Sequence, residues 1–89
     1  MKSKSKVNIE TGELMNVIHQ LQIKIIKEDD LDNYGFCIVN NNKFIFLNKN
    51  LNEEDSKYEL CQILSELPLD TIYLKPRIRE IFENFKNGK

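Results

Sequence analysis

The chain has 89 residues, with 13 Lys and Arg against 14 Asp and Glu, and its content is 40% hydrophobic and 30% charged. Those proportions exclude wholesale disorder and any global field that draws nucleic acid or anionic membrane, and the length allows one small domain with a modest core. No run approaches the roughly 18 apolar residues of a bilayer-spanning helix.

Residues 1–9 open with Lys2, Lys4 and Lys6 among serines, and read as a flexible basic tail ahead of one small α+β domain over 10–89. No apolar leader core or small-residue cleavage site follows, so the expected location is cytoplasmic. From Thr11, a candidate N-cap, Leu14, Val17, Ile18 and Leu21 recur at i, i+3, i+4 and i+7. This spacing predicts a helix over 11–20. Ile25 would extend the same stripe, but Ile23, Ile25 and Ile26 are β-branched and favour a strand near 22–27. His19 falls off the apolar stripe and reads as a solvated residue.

Glu28-Asp29-Asp30-Leu31-Asp32 clusters carboxylates, yet it lacks the alternating oxygen ligands, central Gly and distal Glu of a calcium loop. The reading is a solvated connector. Phe36-Cys37-Ile38-Val39 and Phe44-Ile45-Phe46-Leu47 then form two short runs joined by Asn40, Asn41 and Asn42, residues that tolerate positive φ. They predict a β-hairpin over 36–47. Because Phe44 to Leu47 are all apolar, both faces of that strand need cover, from helices or from a partner chain.

Asn52 is placed to cap a helix over 53–66, whose first turn carries Glu53, Glu54 and Asp55 and whose apolar stripe is Leu60, Cys61, Ile63, Leu64 and Leu67. Pro68 halts it. Pro76 suits the first position of a final helix over 76–86, with Ile78, Ile81, Phe82 and Phe85 as its stripe and Asn87-Gly88 as its end. The fold class is therefore α+β: a small, mostly antiparallel sheet packed by three helices.

Cys37 and Cys61 read as buried reduced thiols; a disulfide between them stays open, provided the second helix packs on the hairpin and brings their Cα atoms within roughly 7 Å. One His and two distant Cys supply no familiar zinc spacing, and Gly12, Gly35 and Gly88 form no phosphate loop. The expectation is no catalytic, cofactor-binding or metal-binding residues, no cofactor and no small-molecule ligand.

The order of strand, Phe46-Leu47-Asn48, capped turn and Tyr58 to Glu66 resembles the stretch that leads into the metal helix of ImmA/IrrE-type zinc peptidases. The resemblance covers about residues 36–66. It implies a helix bearing H-E-x-x-H, but Gln62 stands at the first His position, Ile63 at the Glu and Glu66 at the second His, so it also implies a shortened relative without metal or peptidase activity. The chain is similar in general outline to small bacterial proteins in which an F-L-N-K strand precedes a helix and a later proline-initiated helix.

The leading functional expectation is a non-catalytic protein–protein interaction or regulatory module, with a leftover apolar sheet face that meets a twin or another protein. The alternative is nucleic-acid binding through the basic ends, with Lys75, Arg77, Arg79 and Lys86 as contacts beside Lys2, Lys4, Lys6 and Lys89.

Overall fold

A computed structural model describes residues 7–87, and the order of elements is α1 (Thr11–Gln20), β1 (Ile23–Glu28), β2 (Gly35–Val39), β3 (Asn42–Asn48), α2 (Glu53–Ser65) and α3 (Pro76–Lys86). The expectations for Lys2, Lys4, Lys6, Gly88 and Lys89 fall outside the described residues.

The strands form a mixed sheet in the order β1-β3-β2. β2 and β3 are the expected antiparallel hairpin, with Val39 paired to Asn42 and Phe36 to Ile45. Asn40 and Asn41 make its turn with φ of 51° and 68°, the two consecutive positive values of a type I′ turn, while Asn42 already belongs to β3. β1 joins the other side of β3 in parallel, with Ile25 opposite Ile45. Residues 29–34 thus carry the chain across the sheet, a span of roughly 9.6 Å at two strand spacings, and leave the central place for β3. Gly35 opens β2 at φ 128°, a conformation that side-chain-bearing residues rarely adopt.

The helices match their expected spans to within a residue, but the start of α1 differs in its cap. Glu10 is the N-cap, and its amide donates to the Glu13 carboxylate at 2.9 Å; the Thr11 hydroxyl instead donates to Glu53 Oε2 at 2.8 Å. In α2 Asn52 caps as expected, accepting from the Asp55 amide at 2.8 Å. α3 starts at Pro76.

One cluster of buried side chains joins Leu14, Val17 and Ile18 of α1, Leu60, Cys61 and Leu64 of α2, and Ile78 and Phe82 of α3 to Ile23, Ile45 and Leu47 of the sheet. Tyr58 and Phe85 close α2 on α3, with ring centroids 5.1 Å apart and an edge-on angle of 67°.

Val7 and Ile9 belong to this cluster, which corrects the reading of residues 1–9 as tail throughout. Both β-branched side chains are buried while Asn8 between them is exposed, in a segment that bends at Ile9. Two cations hold its backbone: Lys57 Nζ donates to the Ile9 carbonyl at 2.8 Å, and an Arg77 guanidinium nitrogen to the Asn8 carbonyl at 2.7 Å. The ordered fold thus begins before position 10.

Candidate functional site

Strand alternation sorts the sheet residues onto two sides, and the core cluster identifies which side the helices cover. Ile23, Ile45 and Leu47 are buried in that cluster, and Ile25 and Phe36 pack against it. The residues between them, Ile26 on β1, Cys37 on β2, and Phe44 and Phe46 on β3, point the other way and are only half-buried, with no place in the cluster. The expectation that both faces of β3 need cover is met on one face alone.

The open side is continuous. Phe46 lies between Ile26 and Gly35 in register, and Phe44 between Lys24 and Cys37. Phe44 and Phe46 stack on each other with centroids 6.1 Å apart at 29°. Lys24 and Glu28 share this face with Ile26 and place one charge of each sign at its ends.

The outer strands differ in what they present. β1 carries Lys24, Lys27 and Glu28, charges that discourage pairing by another strand, whereas Gly35 to Val39 carries none. Ile38 is 59% exposed and Val39 50%. Sequence reasoning placed the docking surface on the hairpin's faces and missed this edge, because strand order is not written in the alternation of side chains.

Both thiols are free, and they lie on opposite sides of the sheet: Cys61 inside the core, Cys37 half-buried on the open side, not buried as expected. This separation excludes the disulfide that the sequence left open. Burial pushes the Cys61 thiol up to about 12, only partly opposed by the nearby Lys57 ammonium, so it is a packing group and not a nucleophile.

The basic residues singled out as contacts do not form one patch. Arg77 is engaged with Asn8 and Glu13, on the side of α3 that meets the N-terminal segment and α1. Lys75 precedes the helix beside Tyr73 and Gly12. Arg79 and Lys86 share a concavity of about 310 Å³ with Asp70 and Glu83, which dilute their charge.

Of the positions that the peptidase resemblance singles out, Gln62 and Glu66 are exposed and Ile63 is half-buried against the core. His19 is exposed near the end of α1. Among the described residues no group of three or more His, Cys, Asp and Glu is placed to hold a metal ion, and no helix is long and apolar enough to cross a membrane. Comparisons with family models, curated proteins and solved structures give no match to this chain.

Proposed function

We propose that this chain is a non-catalytic interaction module that docks a protein partner on the open side of its sheet. The observation that carries the reading is the sidedness of β3: Ile45 and Leu47 are buried under the helices, while Phe44 and Phe46 stack on each other on the uncovered side beside Ile26 and Cys37. Apolar side chains gathered on one uncovered face are characteristic of association surfaces. The dispersed basic residues, one already tied to Glu13, favour this reading over nucleic-acid binding.

The test is binding of an environment-sensitive apolar dye by the purified chain, compared with a Phe44→Ser/Phe46→Ser variant that keeps the native circular-dichroism spectrum. The expected outcome is dye fluorescence with the native sequence and its loss in the variant. Equal dye response from both would contradict the reading.

A further inference from the structure

We infer that the free edge of β2 pairs with β2 of a second copy, antiparallel and centred on Cys37, to make a continuous six-stranded sheet; this rests on the interaction-module reading and adds the strand edge to the open face. The inference begins with the two-residue turn. Val39 and Asn42 close it as a hydrogen-bonded pair, and the antiparallel ladder alternates from there, so Val39, Cys37 and Gly35 direct their amides and carbonyls toward β3. Phe36 and Ile38 direct theirs outward.

Those two residues are self-complementary. A twofold axis at Cys37 sets Phe36 opposite Ile38 of the second copy and Ile38 opposite its Phe36, and each couple exchanges both backbone bonds. Phe36 and Ile38 also share one side of the strand, so the 59%-exposed Ile38 gains an aromatic neighbour across the junction. Gly35 to Val39 brings no charge to the symmetric contact, whereas the charged outer edge of β1 opposes the same association. With only five residues, the contact is far smaller than the roughly 20–30 residues a side of a standard interface, so the dimer exchanges readily with monomer.

The axis stands normal to the sheet, and both open faces therefore lie on the same side. Pairing doubles the width of the surface offered to a partner.

In this register Cys37 meets Cys37 of the second copy as a non-hydrogen-bonded pair with Cα atoms about 4.5 Å apart, within disulfide reach. Mild copper-catalysed oxidation of the native full-length chain, in which two thiols give up two protons and two electrons to the oxidant, reports the contact on a non-reducing gel. Sedimentation of the reduced chain up to about 1 mM reports the same equilibrium without oxidation. The expected result is a concentration-dependent dimer whose Cys37 cross-links at least tenfold faster than in Ile38→Lys and Ile38→Pro, with no cross-link in Cys37→Ser. A reduced chain that stays monomeric throughout, or cross-linking unaffected by both Ile38 variants, overturns the inference. A dimer that survives both Ile38 variants but is lost in Phe44→Ser/Phe46→Ser also overturns edge pairing, while leaving the open-face reading intact. A monomer that binds no apolar dye removes both.

Discussion

Arg77 in the first turn of α3 donates to the carboxylate of Glu13 in the first turn of α1, joining positions 64 apart in the chain. Glu13 also accepts from the Glu10 amide, and the same guanidinium holds the Asn8 carbonyl. One side chain thus ties the entry to the first helix to the start of the last.

The Glu10 amide first, and Arg77 second, hold the Glu13 carboxyl below its ordinary value of 4.5. A lowered folded-state value means that this contribution to stability is present above 4.5 and is lost as pH falls through the folded value. In Arg77→Ala the Glu13 carboxyl moves back toward 4.5, and the acid dependence of unfolding becomes shallower in that window. Carbon-detected NMR titration of Glu13 checks it; an unchanged titration would show that the guanidinium contact does not persist in solution.

Ile9 is 3% exposed in the core although it precedes every helix and strand among the described residues. Ile9→Ala should cost about 2–5 kcal/mol in urea unfolding, the range for truncating a buried aliphatic side chain. A loss within the scatter of surface substitutions, about 0.5 kcal/mol, would return the segment to the status of a tail.

Among the described residues Gln22, Asp30, Asn40 and Asn41 adopt left-handed backbone without being glycine, and Gln22 and Asn41 give the clearest contrast. Gln22 sits at φ 59° just past the end of α1, its amide bonded to the His19 carbonyl, and Asn41 is the second residue of the hairpin turn at φ 68°. Gln22→Gly relieves the left-handed penalty that bulky residues carry, offset in part by the added freedom of the unfolded chain. A gain of about 0.5–1 kcal/mol is expected, with a smaller one for Asn41→Gly because Asn already tolerates this region. Thermal unfolding of the two single variants measures the order.

The two cysteines should separate cleanly by reactivity. Cys37, half-buried on the open side, is alkylated in the native chain, and Cys61, fully buried, only on unfolding. Since the folded Cys61 value is raised from 9.0 to about 12, stability is unaffected by this thiol below 9.0 and declines above it, where the unfolded chain ionises and the folded chain does not. Mass spectrometry after brief alkylation gives the order; equal labelling of both thiols would contradict the assigned faces.

Much of the fold was legible in residue spacing. Leu14, Val17 and Ile18 located α1, Asn52 and Pro76 marked the starts of α2 and α3, and the asparagines located the turn. Spacing along one strand says which residues share a face, but nothing about which strand lies beside it. Hence neither the central place of β3 nor the parallel pairing of Ile25 with Ile45 was readable. Val7 and Ile9 were hidden for a different reason: two apolar residues in alternation fall below the length at which a pattern stands out from a Lys- and Ser-rich lead. For the candidate site, the run from Phe44 to Leu47 signalled demand for cover on both sides, and only the placement of all three described helices on one side decided which residues went without.

The most direct measurement uses a soluble paramagnetic probe on methyl-labelled chain at dilute concentration. Ile25 and Ile26 are adjacent in sequence and on opposite sides of the sheet, so they report the covered and open faces within one spectrum. Strong relaxation of the Ile26 methyls, weaker relaxation of half-buried Ile25 and sparing of Ile45 are the predicted result. Protection of Ile26 equal to that of Ile45 would mean that the second face is covered within the chain itself, and the docking surface would not exist.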